Sequence, residues 1–199
     1  RLQLQEFERF LSVLATVGWP SDVLLKHLAA TGGALAYPAA RYDLARIGLG
    51  LYGLWPGVEW QKRFGSRIKL WPALVWKTIV SEIKILPGGG RIGYDFTARV
   101  KPGTRLAVCP VGYWHGYPRL LSGRSRVRVK NQWVRVVGRV SMDMLVLDVT
   151  KIKNLGVGEE VILLNGNNGP TAEELARLAE TSNYEIITRL NPLIERFYV

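Results

Sequence analysis

Cysteine is almost missing from the sequence, with Cys109 the only one in 199 residues. A lone thiol can form no disulfide within the chain and no cysteine-based zinc cage, and nothing else in the sequence asks for a metal. Long apolar runs are missing too. No stretch reaches the roughly 18 residues that a membrane-crossing helix needs, and no basic start leads into an apolar signal region. A cytoplasmic address, away from any membrane, is therefore expected. Acidic residues are scarce in the middle of the chain. Residues 61–139 hold seventeen basic side chains against only Glu82 and Asp95, while residues 1–60 balance and residues 140–199 are acidic by four, for a total of +11. Such a stretch can attract phosphates, nucleic acid or an acidic partner, although a solvated face is its commoner use.

What remains is globular in character: 48% hydrophobic and 10% aromatic residues, enough for one good core or two small ones. The first residue is Arg1 rather than Met, so the true start is expected upstream. Leu4, Phe7, Phe10, Leu11 and Leu14 recur at helical steps and predict a helix over 2–17, ended by Gly18 and Pro20. Two apolar runs, 23–27 and 44–52, predict buried strands with a short helical or irregular piece between them. Helix, strand, helix, strand is the grammar of a parallel α/β layer, yet two strands cannot make such a sheet alone. Residues 1–60 therefore read as the tail of something larger.

A segment rich in Trp, Pro and charge, 55–71, reads as a linker. After it the texture changes to short β-branched runs broken by turns. Residues 75–86, 105–108, 126–130, 133–137, 144–149 and 160–164 predict strands, the third and fourth as a hairpin with a basic outer face. Thr171 and Glu174 form a capping-box signature for a helix over 172–181. Residues 61–199 are thus expected to be a mainly antiparallel β-domain with one late helix.

Two motifs stand out. The first is Gly112-Tyr113-Trp114-His115-Gly116-Tyr117, in which glycines on both sides suit a tight loop that lifts Tyr113 from a sheet edge. A free phenol titrates at about pH 10, so a tyrosine used for proton transfer needs a tuned site and close reach. The second is Gly138-Arg139-Val140-Ser141-Met142-Asp143-Met144. Together they resemble the paired signatures of the C-terminal β-domain of alanine racemases. Arg46-Ile47-Gly48-Leu49-Gly50-Leu51-Tyr52-Gly53 is similar to that family's last barrel strand, and His27-Leu28-Ala29-Ala30-Thr31 to the strand before it.

The resemblance implies a mainly β fold: an antiparallel domain of the alanine racemase C-terminal type, preceded by the last βα units of a (β/α)8 barrel that binds pyridoxal 5'-phosphate (PLP). It implies a PLP-dependent isomerase that interconverts L- and D-alanine, a peptidoglycan precursor. Tyr113 would be the catalytic acid/base. Met142 would offer its backbone N–H to the substrate carboxylate, with Asp143 satisfying backbone donors in the turn. Arg46 would face the pyridine nitrogen, and Thr31, Gly48 and Leu49 would hold the phosphate. His27 would support Arg46 from behind. A homodimer is implied, with the β-domain of one subunit closing the barrel mouth of its mate.

Several family features are changed. Trp114-His115 stands where the family has a small residue and Asp, Ser141 where it often has Cys, and Ala30 where it has Asn. Pro192 aligns with a phosphate-binding tyrosine of some members. The Lys-Ala-Asn-Ala-Tyr run that carries the PLP lysine is absent, and Lys26, Lys77 and Lys84 lack its context. A complete barrel takes about 250 residues. The chain alone is therefore expected to be inactive, as a fragment, as one half completed by an N-terminal partner chain, or as a non-catalytic remnant. A basic nucleic-acid-binding β-module, with Arg126, Arg128, Lys130 and Arg135 as a phosphate-facing stripe, is the reading from another class. Serine or another small amino acid stays open beside alanine.

Overall fold

The structure, a computed structural model, describes residues 2–20 and 22–198. The chain divides into two compact units, one ending at Trp71 and the other beginning at Pro72. Among the described residues, no helix is long and apolar enough to cross a membrane.

The first unit opens with α1 (Leu2–Thr16). Leu4 on its inner face packs with Leu28, Tyr37 and Ala45 around a small core of Ala29, Ala34 and Ala40. Phe7 meets the Tyr42 ring edge-on at 5.1 Å. Gly18, at φ +74°, ends the helix and donates its N–H to Ala15 O at 3.1 Å.

Beyond α1 the two expected strands are not formed. Residues 23–27 enter no ladder, and 44–52 reduces to one parallel bridge, Ala30 with Arg46, followed by a 3-10 turn over Leu49–Tyr52. The reason is partnership. A parallel strand needs neighbours along its length, and two short segments supply one bridge. Gly48 and Gly50 also lower the cost of turning. α2 (Thr31–Ala36) starts directly after the bridge, and α3 (Val58–Phe64) occupies part of the expected linker.

The second unit is a seven-stranded antiparallel sheet with a two-stranded ribbon. Its strands are β1 (Val75–Ile79), β2 (Glu82–Leu86), β5 (Thr104–Cys109), β6 (Arg126–Val129), β7 (Gln132–Val136), β8 (Leu145–Asp148) and β9 (Glu160–Asn165); β3 (Gly90–Ile92) and β4 (Ala98–Val100) form the ribbon. The sheet order is β1-β9-β6-β7-β8-β5-β2, which puts two consecutive strands at opposite edges. Residues 75–86 are thus not one strand but an extended run that changes partner at its middle. Val80 N–H donates to Glu159 O and Ser81 N–H to Val108 O, both at 2.9 Å. The sheet therefore curls until one segment bonds both edges, which leaves neither edge bare there.

Alternation fills the curl. Val127, Val129, Val136, Leu145, Leu147, Val161 and Leu163 point inward, while Arg126 and Arg135 point to solvent. The β6–β7 hairpin turns on Lys130 and Asn131, at φ +45° and +61°, a two-residue turn whose twist suits the strands. On its outer face Arg128 lies over the Trp133 ring at 5.3 Å and donates to Asn168 Oδ1 at 2.8 Å.

α4 (Ala172–Leu178) starts as expected, the Thr171 hydroxyl accepting from Glu174 N–H at 3.1 Å. A second late helix, α5 (Asn183–Thr188), was not expected. It carries the same signature, Ser182 accepting from Glu185 N–H at 3.4 Å. Inside the curl Tyr117 is fully buried, its ring 5.9 Å from Trp76 and its hydroxyl donating to Ser125 Oγ at 2.9 Å. Tyr117→Phe should lower the unfolding free energy by about 1 kcal/mol in urea titrations. An unchanged midpoint would show that the bond adds nothing.

Candidate active site

β5 ends at the buried Cys109, whose thiol burial pushes up to about 12, so it is no nucleophile. The chain then leaves the sheet through Pro110 and Val111 into one 3-10 turn, Tyr113–His115, between two glycines. Each glycine is required for a spatial reason. A Cβ on Gly112 would sit 2.2 Å from Ser141 O and 2.6 Å from Met142 O. One on Gly116, at φ +102°, would sit 2.4 Å from Arg189 O.

That close approach at Gly112 docks the loop on the second motif. Tyr113 N–H donates to Ser141 O at 3.0 Å, and Trp114 N–H to Met142 O at 2.9 Å. The Met142 turn is closed by Ser141. Its N–H and hydroxyl donate to Met144 O at 2.9 and 2.8 Å, and the hydroxyl accepts from Met144 N–H at 3.1 Å. This hydroxyl does the work expected of the Asp143 carboxylate, which is exposed and makes no side-chain hydrogen bond among the described residues. The N–H groups of Met142 and Asp143 find no protein acceptor among the described residues, and Met142 is 54% exposed. Free, adjacent, outward N–H groups suit a carboxylate.

The two tyrosines of the first motif are used differently. Tyr117 is 0% exposed and burial raises its phenol far above the ordinary value, so it is a structural anchor. Tyr113 is 46% exposed and beside a cavity of about 530 Å³ that Gly116, Arg119, Leu120, Glu185 and Arg189 also line. The Trp114-His115 pair does not open the loop: Gly112 N–H donates to His115 Nδ1 at 3.2 Å.

In the first unit, Thr31 is buried and its hydroxyl accepts from Gly48 N–H at 3.4 Å and Gly50 N–H at 3.3 Å. Both are longer than a settled N–H···O bond, so these donors are loosely held. Nothing lies within 4 Å of a Cβ on Gly48, whereas one on Gly50 would meet Thr31 Cγ2 at 2.9 Å. Leu49 between them is buried. Arg46 donates from Nη1 to His27 Nδ1 and from Nη2 to Leu28 O, the latter at 3.4 Å. The structure thus brings Thr31 to Gly48 and Arg46 to His27, and sets Tyr113 on the Met142 turn. It gives parts to three residues to which the motifs assign none: Gly50, Ser141 and Asn191. Gly50 was signalled by its spacing from Gly48. Asn191 pins the loop from outside, donating from N–H to His115 O at 3.2 Å and from Nδ2 to Trp114 O at 3.0 Å, and no local signal marks it.

A curled antiparallel domain that presents a tyrosine from a loop docked on a neighbouring turn, preceded by a mainly helical unit, defines a class of two-part proteins. The chain belongs to the alanine racemase family. The family description "Alanine racemase, C-terminal domain" matches residues 73–198, and "Alanine racemase, N-terminal domain" matches residues 1–56. The alanine racemase of Symbiobacterium thermophilum is 39% identical over all of the chain and 52% of its own length. The solved alanine racemase of a D-cycloserine-producing Streptomyces lavendulae superposes with a TM-score of 0.89 at 32% identity, over 100% of this chain and 51% of that one. The Bartonella henselae alanine racemase, solved with covalently bound pyridoxal phosphate, gives 0.79 at 25% identity over 98% of this chain and 51% of that one. The chain spans about half the length of the curated relatives it matches.

Proposed function

We infer that the chain is the carboxy-terminal part of a PLP-dependent racemase that interconverts L- and D-alanine, and that it supplies one proton-transfer group and the turn that receives the substrate carboxylate. The observation that carries this is the docking of the Tyr113 loop on the Met142 turn by two backbone hydrogen bonds, with the phenol half-exposed and the Met142 N–H free.

The first unit suits PLP at two of its ends. The Thr31 hydroxyl and the loosely held N–H groups of Gly48 and Gly50, with Leu49 between them, form a donor set for a phosphate. A Cβ at position 50 would crowd that cradle. The Arg46 guanidinium, held by His27, suits the ring nitrogen. When bound, PLP supplies an electron-withdrawing ring that stabilises negative charge at the amino acid's α-carbon. A guanidinium is a permanent cation in proteins, so beside Arg46 the ring nitrogen would stay unprotonated, which would restrain side reactions such as transamination. The Met142 N–H donates to the substrate carboxylate and fixes its orientation. Tyr113 Oη exchanges the α-proton on one face, and a lysine serves the other.

That lysine is not assigned within this chain; Lys26, nearest His27 in sequence, is paired with Asp43 at 3.9 Å. It comes from the half of the enzyme that precedes these residues in the relatives, so the chain alone is inactive. The partners are a small amino acid and a second subunit, whose barrel mouth this β-domain closes. Exposed Tyr113, Trp114, Leu120, Met142 and Met144 support such a covered face. In the first unit, exposed Val23, Leu25, Leu44 and Ile47 support further barrel strands beside them.

Co-expression with the N-terminal half of a relative tests the reading. Interconversion of L- and D-alanine that needs both chains and PLP is expected. A co-purifying pair that binds PLP yet racemises nothing would leave a non-catalytic remnant instead.

A further inference from the structure

His115 is the residue of the Tyr113 loop to which the chemistry above gives no part. Its half-buried imidazole folds back so that Nδ1 accepts the Gly112 N–H at 3.2 Å, while the backbone N–H of His115 donates to Gly112 O at 3.0 Å. The two bonds close a ring from residue 112 to residue 115 with Tyr113 inside it. Gly112 O also accepts the Tyr117 N–H at 3.2 Å, which ties the ring to the buried anchor. The other bonds that orient the loop run to peptide carbonyls, from Tyr113, Trp114, Gly116 and Asn191. Among the described residues, only the Gly112 N–H of this loop rests on a nitrogen that titrates.

An imidazole nitrogen accepts a hydrogen bond only while it carries no proton. With Nδ1 accepting, the ring proton sits on Nε2. A second proton would make Nδ1 a donor facing the Gly112 donor, and the partly buried amide would lose its partner. The charged groups on the elements packed against the loop are Arg119, the Glu185–Arg189 pair at 3.0 Å, and Asp143 on the Met142 turn. Trp114, 4.9 Å away edge-on, adds an uncharged wall.

We propose that His115 is the positioning residue of Tyr113: its unprotonated Nδ1 sets the loop, and acidification releases it. The consequence for turnover rests on the role given to Tyr113 above, but the bond itself is read without any activity.

The test is amide hydrogen exchange of the 199-residue chain by NMR across a pH series, corrected for intrinsic exchange. In the unaltered chain, Gly112 protection should fall about tenfold as His115 takes up its second proton, with the Leu163 amide of the core unchanged. His115→Phe should show the low value at every pH. His115→Asp, which restores an oxygen acceptor, should keep protection through the range where the imidazole titrates. Equal Gly112 protection in the unaltered chain and His115→Phe, or the same pH step in His115→Asp, would overturn the proposal. If His115→Phe unfolds, seen as lost Leu163 protection, the other two profiles still decide. Tyr113→Phe should leave the Gly112 profile intact, so an active assembly indifferent to Tyr113 would sink the racemase role without touching this one.

Discussion

Tyr113→Phe, in an assembly containing PLP and the missing lysine, should slow racemisation by about a thousandfold, within the 10²–10⁴ range typical of a positioned acid–base group. Only the hydroxyl is removed. It makes no hydrogen bond within the protein among the described residues, and the side chain is 46% exposed. Fold stability should therefore stay within about 0.5 kcal/mol. Polarimetry for turnover and thermal unfolding for stability separate the two effects. A fall of less than about threefold, with folding intact, would remove Tyr113 from the mechanism.

Gly112→Ala should be nearly as damaging by a different route. The new methyl would lie 2.2 Å from Ser141 O and 2.6 Å from both the carbon and the oxygen of the Met142 carbonyl. All three are backbone atoms, and they belong to the turn on which Tyr113 is seated. No side chain can swing aside, so the loop and turn must separate and lose the bonds from Tyr113 N–H and Trp114 N–H. The expected cost is about 3 kcal/mol of stability in urea titrations, together with loss of racemisation of the order expected for Tyr113→Phe. Gly112 is at φ −152°, an ordinary extended conformation, so backbone strain is not the cause. An unchanged urea midpoint would mean that the loop has room that the geometry denies it.

Much of the β-domain is legible in the sequence because its strands are half-buried and alternate. Arg126-Val127-Arg128-Val129 and Trp133-Val134-Arg135-Val136 declare their faces, and the hairpin between them follows. The partner change at Val80–Ser81 is not legible, because an extended run looks the same whether it bonds one neighbour or two. Apolar runs at 23–27 and 44–52 mislead for a related reason. They have the composition of buried parallel strands, but a ladder is a property of several segments, and only one bridge forms here. α5 carries a capping signature in Ser182 and Glu185, but its six residues are too few for a helical period to stand out.

For the candidate site, Tyr113 and Met142 stand in motifs that local sequence displays. The need for a glycine at 112 arises from a carbonyl at 141, and Asn191 reaches the loop from 76 positions beyond Tyr113's neighbour His115 in sequence. Contacts of that kind leave no local trace. The fold-back of His115 is likewise a matter of geometry: His where the family has Asp reads as a lost acceptor, whereas Nδ1 still accepts the Gly112 N–H.

The most direct test of the role of Tyr113 is exchange of the α-hydrogen of each alanine enantiomer in deuterated water, in the assembled enzyme with and without Tyr113→Phe. With Phe at 113, exchange should fall about a thousandfold for one enantiomer and much less for the other, since the lysine still serves the opposite face. Equal exchange rates for both enantiomers, before and after the substitution, would contradict the assignment of Tyr113 to one face of the substrate.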